Sequence, residues 1–275
     1  MKTQLIALAV ASAISLAPDV ASAAPVDLST WTAESYPAVS GFGAGVWTVA
    51  SGGGSVTQSV NGQPTFFYSD FNAIGTKITG KIKPGSGDDD YVGFALGFRP
   101  GDSTNSTANY LLIDWKQGTQ GFDFGTPSSS PGGTANGGLA VSLVTGIPDA
   151  DEFWQHANLA GTSAANGLTE LARGTTRGNV GWVVNTEYEF TFDFGPNDLE
   201  VFVNGVKEID ITGSFADGRI AFYNFSQANV VYSAFTKEVG TFPPGGGSVP
   251  EPTTIVLIGL GLAGLGFRSR KNAGS

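Results

Sequence analysis

From Tyr188 to Phe194 the chain alternates, with Tyr188, Phe190, Phe192 and Phe194 on one side and Glu189, Thr191 and Asp193 on the other. A period of two puts successive side chains on opposite faces of a pleated strand, so this segment predicts a strand with one dry and one wet face. Leu199 to Ile211 holds two alternating runs around Asn204-Gly205, the pair that favours a tight two-residue hairpin turn. Tyr91 to Phe98 and Tyr110 to Trp115 predict a second hairpin, joined by the polar loop Pro100 to Asn109. Ile74 to Ile82, Leu139 to Val144, Arg219 to Phe225 and Val230 to Phe235 predict further strands. Helical periodicity is weak and confined to Asp151 to Leu159. Many short strands between turn signals predict an all-β fold, an antiparallel sandwich.

Both ends read as handling signals. Met1-Lys2, the apolar run Leu5 to Leu16 and the small residues Ala21-Ser22-Ala23 make a secretory signal peptide over residues 1–23. Cleavage is expected after Ala23, with Ala24 as the second choice. Residues 241–248 (Thr-Phe-Pro-Pro-Gly-Gly-Gly-Ser) read as a linker. Pro250-Glu251-Pro252 follows, then an apolar run from Thr253 to Phe267 and the cations Arg268, Arg270 and Lys271. The apolar run is about 15 residues long where a comfortable membrane crossing needs ~20, and the cations after it would stay inside. This tail, residues 249–275, resembles the PEP-CTERM sorting signal of Gram-negative bacteria. The resemblance implies transient inner-membrane anchoring through 253–267, processing by an exosortase, and a secreted or cell-surface product. Glycines 259, 261 and 264 fit G-x-G-x-x-G, but no strand-turn-helix context surrounds them, and a small-residue membrane helix accounts for them better.

Composition narrows the chemistry. The chain has 14 basic and 24 acidic residues. Setting aside Lys2, Arg268, Arg270, Lys271, Asp19 and Glu251, residues 24–250 hold 10 against 22, a net charge of −12. That balance argues against nucleic acid and anionic lipid and suits cations. There is no cysteine, so no disulfide staples the exported domain.

Asp88-Asp89-Asp90, directly before the Tyr91 strand, is the sharpest polar cluster. Three adjacent carboxylates repel unless a cation or water neutralises them, and a hard divalent ion such as calcium is one solution. The spacing is not an EF-hand, since Val92 and Arg99 stand where ligands would be needed. A solvated acidic turn is the other reading of these residues.

The order of short motifs resembles the thrombospondin C-terminal domain over about residues 42 to 235. Phe71-Asn72-Ala73 and Thr79-Gly80 come first, then Asp88-Asp89-Asp90-Tyr91-Val92-Gly93-Phe94 and Trp115-Lys116-Gln117. Asn179-Val180-Gly181-Trp182, Gly218-Arg219-Ile220-Ala221-Phe222 and Phe225-Ser226-Gln227 complete the series. The resemblance implies a concanavalin A-like, L-type lectin jelly roll of two curved sheets over residues 24–240. It also implies calcium bound by Asp88, Asp89 and Asp90, with Asp70 and Asn72 as neighbours. Adhesion or matrix contact, without catalysis, is the implied role. The ligand would be an extracellular polysaccharide or a surface protein, and the setting a biofilm matrix. Leu111-Leu112-Ile113-Asp114 departs from the family's cell-binding strand, so animal-type receptor binding is not carried over. Asp114 itself reads as a surface strand carboxylate or an additional ligand.

Two alternatives remain. Glu208-x-Asp210 matches part of the Glu-x-Asp-x-Glu strand of concanavalin-like glycosidases, but Thr212 occupies the third place, and a retaining pair needs both carboxylates about 5 Å apart. A structural matrix protein without a specific ligand is the other. His156, the single histidine, reads as a loop or core-edge residue, and Trp154 is the best candidate for an exposed sugar-stacking platform.

Overall fold

The computed structural model describes residues 23–39, 41–159 and 167–239. The Pro250-Glu251-Pro252 tail, the apolar run 253–267 and the leader up to residue 22 lie outside the described residues. Among the described residues no helix is long and apolar enough to cross a membrane.

The described strands run in chain order as β1 (Ala24–Pro25), β2 (Thr32–Ser35), β3 (Trp47–Val49), β4 (Ser55–Gln58), β5 (Thr65–Asn72) and β6 (Thr76–Pro84). Next come β7 (Tyr91–Phe98), β8 (Asn109–Lys116), β9 (Gln120–Phe122), β10 (Gly133–Ala135) and β11 (Gly138–Thr145). A short helix α1 (Ala150–Gln155) precedes β12 (Gly167–Arg173), β13 (Tyr188–Phe194), β14 (Asp198–Val203), β15 (Val206–Thr212), β16 (Arg219–Phe225) and β17 (Val230–Val239). Two large antiparallel sheets result, with β9 and β10 pairing separately as a two-stranded antiparallel ribbon. One has the order β15-β14-β13-β6-β17-β4-β3, with β1 also on β17, and the other β12-β11-β8-β7-β16-β5-β2. This is the jelly-roll sandwich expected from the sequence.

Local chemistry explains the elements. Asn204 and Gly205 both take positive φ (50° and 76°), as the hairpin turn between β14 and β15 requires. β13 buries Tyr188, Phe190, Phe192 and Phe194 and leaves the intervening residues wetter. Between the sheets, Phe94 meets Phe190, Phe192, Phe222, Tyr232 and Phe235 at ring separations of 4.8–6.0 Å. Each such buried ring contributes about 1.5–3 kcal/mol, and this interleaving replaces the missing disulfide.

The central strands of the seven-stranded sheet are dry on both faces, while its edge strands β12 and β2 are partly exposed. All eight residues of β7 are buried. Its second face carries Phe66, Tyr91, Phe98, Tyr110, Leu112, Tyr223 and Phe225, roofed by Tyr36, Phe124, Phe153 and Trp154. The roof comes from α1 and the loops beside it, where the sequence shows only one weak helical signal. Asp149 closes a capping box with Glu152 at the start of α1, and its backbone N–H donates to the Glu152 carboxylate at 2.8 Å.

Candidate functional site

β7 and β8 are the hairpin the alternation predicts, and their register sets Tyr91 opposite Lys116. That pairing delivers the Lys116 ammonium to the acidic segment just before β7. Lys116 is fully buried. Its Nζ lies 2.6 Å from Asp90 Oδ1, donates to the Asp89 carbonyl at 3.0 Å and to Gln120 Oε1 at 3.2 Å, and sits 4.3 Å above the Trp154 ring. A buried charge is tolerated only when paired and hydrogen-bonded, and Lys116 meets both conditions.

The other motif residues converge on the same segment. Gln227 Oε1 accepts the Asp90 N–H at 3.1 Å, while its amide nitrogen donates to Ser86 Oγ at 2.6 Å. Trp182 Nε1 donates to the Asp90 carbonyl at 3.1 Å, and the Gln117 N–H donates to the Asp89 carbonyl at 3.1 Å. Gln117 also donates from its side chain to the Trp182 carbonyl at 3.1 Å, and Asn61 donates its amide to Asp88. Burial lifts Asp88 and Asp90 above the usual carboxylate range, with the Lys116 ammonium opposing the lift at Asp90.

One oxygen from each of Asp88, Asp89 and Asp90 falls within 4.8 Å of the others. A hard oxygen set of this kind fits a cation such as calcium. Asp90 already shares one oxygen with Lys116, and the Ser226 side chain also bonds its carboxylate.

Several sequence expectations require correction. Asp70 and Asn72 are not neighbours of the triplet. Asn72 pairs with Arg219, itself opposite Phe98, whereas the triplet precedes Tyr91 at the far end of β7. Seven strand steps separate the two ends, roughly 20 Å. Asn72 instead donates to Asp217 at 2.8 Å, and Asp70 borders a shallow pocket with Asp27 and Lys237. Trp154 is only 1% exposed. Asp151 and Glu152 beside it are buried as well, and the indole packs edge-on to Tyr91 and Phe225, so it presents no open platform.

Asp114 is not on the surface. It is buried on the roofed face of β8, where its Oδ2 meets His156 Nε2 at 2.9 Å. The other His156 nitrogen faces Glu170 at 3.2 Å, and Glu170 is held by Arg173 at 2.8 Å. Burial pushes the imidazole down, but the two carboxylates outweigh it and raise the pKa to about 9. The His156 contact, aided by Arg173, lowers Glu170 to about 2 despite partial burial.

Glu208 and Asp210 do not share a cleft. A register shift between Val201 and Phe202 leaves Glu208 as an extra residue in β15, which breaks the alternation. Glu208 therefore points inward at 1% exposure, accepting the backbone N–H groups of Thr176 (2.8 Å) and Arg177 (3.1 Å). Asp210 points outward and pairs with Lys207 at 2.6 Å. The glycosidase pairing is thus not assembled.

The roles of Lys116, Gln227 and Asn61 were not read from the sequence. Lys116 and Gln227 lie in motifs that could have flagged them, while Asn61 carries no such signal.

Fold and site together define an all-β, two-sheet antiparallel jelly-roll sandwich with a carboxylate-rich segment at the start of β7. The chain belongs to the thrombospondin C-terminal region family, whose model matches residues 43–239, and residues 248–271 match the PEP-CTERM protein-sorting motif. That motif marks an exported, exosortase-sorted protein. Thrombospondin-3b of Danio rerio is 26% identical over 197 residues, covering 68% of this chain and 20% of the relative. Thrombospondin-4 of Bos taurus is 25% identical over 197 residues, covering 68% and 19%. The chain thus spans about a fifth of the length of these relatives. Among solved structures, the carbohydrate binding module CBM66 from Bacillus subtilis is similar at TM-score 0.48 and 12% identity, covering 76% of this chain and 95% of that one. The exoplasmic/lumenal domain of VIP36 in its Ca2+/Man-bound form gives TM-score 0.46 and 12% identity, covering 81% and 87%.

Proposed function

We propose that the protein is an exported, calcium-binding, lectin-like adhesion component of an extracellular matrix or biofilm. Its ligand is an extracellular polysaccharide or a surface protein. The observation that carries this reading is the convergence of the Trp115-Lys116-Gln117, Trp182 and Ser226-Gln227 motifs on one carboxylate-rich segment. Calcium is held by Asp88 and Asp89 with the second oxygen of Asp90, while Lys116 keeps the first. The ion supplies charge neutralisation and rigidity at the start of β7. Signal peptidase acts after Ala23, and an exosortase acts at Pro250-Glu251-Pro252 while the tail rests in the inner membrane of a Gram-negative cell.

A ligand that binds only the folded form stabilises it by about 2.7 kcal/mol at a hundred times its Kd. For a domain of this size that is roughly 5–11 °C in Tm. Thermal melts with millimolar calcium against EDTA are expected to show such a rise in the wild type and none in Asp88→Asn/Asp89→Asn. An unchanged rise in the double variant sinks the assignment.

A further inference from the structure

The faces of the two sheets differ in what covers them. The seven-stranded sheet is closed on one side by its partner sheet and on the other by the roof of α1 and its loops. Among the described residues the outer face of the eight-stranded sheet carries no such layer. Along β14 every second residue is buried, and Phe202 falls on the wet side, half-buried. Among the described phenylalanines it is the only one without a neighbouring aromatic ring, in a chain that otherwise packs these rings together.

The register lays a row across that face. Phe202 stands opposite Thr191, Thr191 opposite Thr79, and Thr79 opposite Thr236. With strands about 4.8 Å apart, the row from Phe202 to Thr236 runs about 14 Å. A parallel row of Glu189, Lys81 and Ser233 flanks it on one side, and Asp193, Lys77 and Glu238 on the other. The surface dips here into a groove of about 270 Å³ lined by Lys77, Thr79, Glu189, Thr191, Phe202 and Glu238.

We propose that this groove is a glycan-binding site for a neutral oligosaccharide, with Phe202 stacked on a sugar ring and the threonine row bonding its hydroxyls. A sugar ring has an apolar C–H face and a rim of groups that both donate and accept. An aromatic ring beside hydroxyls, carboxylates and an ammonium offers the complement to each. The Thr79 and Thr191 hydroxyls lie 3.0 Å apart, so each is oriented and keeps capacity for a ligand. Charge selects the class. Lys77 is drawn to Glu238 at 3.5 Å and Lys81 to Glu187 at 2.7 Å, leaving Glu189 to repel a uronic acid polymer on a chain already at net charge −10.

This inference rests on the adhesion reading and names its glycan site. The test titrates the full-length protein, in mild detergent, with neutral gluco-, manno- and galacto-oligosaccharides and with their uronic-acid counterparts. Calorimetry is the readout. At least one neutral sugar is expected to bind, with affinity lowered tenfold or more in Phe202→Ala and in Thr191→Val. Phe202→Trp is expected to bind and to report occupancy through its own fluorescence. Equal affinity in wild type and both loss variants overturns the placement, as does preference for uronic acids. If no sugar in the panel binds, the proposal is overturned. A calcium-dependent rise in Tm surviving in Phe202→Ala shows that the metal reading stands apart from that failure.

Discussion

The acidic segment is neutralised from inside the protein by Lys116, and Lys116→Met tests how much that matters. Methionine keeps most of the apolar stem but removes the ammonium that lies 2.6 Å from Asp90 and 4.3 Å above the Trp154 ring. Both partners are deeply buried, at 0% and 4% exposure, so solvent screening does little to soften the loss. Removing one member of a buried pair costs about 3–5 kcal/mol, because the other charge is left uncompensated. At ~2–4 °C per kcal/mol for a domain of this size, Tm should fall by roughly 6–20 °C. Asp90→Asn placed on Lys116→Met should recover part of the loss, since both charges are then gone and the coupling is not additive. Calcium should also raise the Tm of Lys116→Met more than that of the wild type, because the Asp90 oxygen held by Lys116 becomes available. Circular dichroism melts of the full-length single and double variants, with and without calcium, measure all three. A Tm within about 2 °C of wild type, or a smaller calcium response in the variant, would refute this account of the site.

The His156 network predicts a bounded pH optimum. His156 is raised from 6.5 to about 9 in the folded state, so its contribution is complete below pH 6.5 and is lost as pH climbs towards 9. It amounts to something on the order of 3 kcal/mol. Glu170 is lowered from 4.5 to about 2, so its share is complete above pH 4.5 and is lost as pH falls towards 2. Melts across this range should show the alkaline limb flatten in His156→Gln; an identical limb in both proteins counts against the network. Glu208→Ala strands the Thr176 and Arg177 N–H groups, a loss of about 1–3 kcal/mol, and melts that match wild type would show that the carboxylate pins nothing. In Gly93→Ala the new methyl runs into the Ile113 carbonyl oxygen and meets the Asp114 Cα at 2.8 Å. Backbone atoms yield poorly, so a penalty of about 1–3 kcal/mol by chemical denaturation is expected, and an unchanged midpoint would contradict it.

The hairpins were legible because β13, β14 and β15 have one wet face each, and the Asn204-Gly205 turn advertises itself. β5 was not read. Its sequence Thr-Phe-Phe-Tyr-Ser-Asp-Phe-Asn lies in a sheet with apolar layers on both sides, so aromatic residues follow one another and the period-two signal vanishes. The acidic triplet was visible as three letters in a row, but its counter-ion was not, since Lys116 reads as an ordinary strand-end lysine until register sets it opposite Tyr91. Trp154 misled for the same reason. Neighbouring acids suggest a surface, while α1 turns the indole down onto β7. Glu208 and Asp210, two residues apart, face opposite ways because Glu208 is the extra residue of a one-residue bulge, and a bulge has no reliable mark in sequence.

The strand that ends at Val239 leads into the residues that carry the sorting tail, and β17 is not at the margin of its sheet. β6 flanks it on one side, β4 and β1 on the other. Tension drawn along β17 from that end meets hydrogen bonds lying crosswise to the pull, so many must slip together before the strand moves. Phe202 is reached through β6, β13 and β14 of the same sheet. If the tail end is held and the proposed sugar is gripped at Phe202, the load between them would cross backbone ladders alone and spare the greasy seam between the layers.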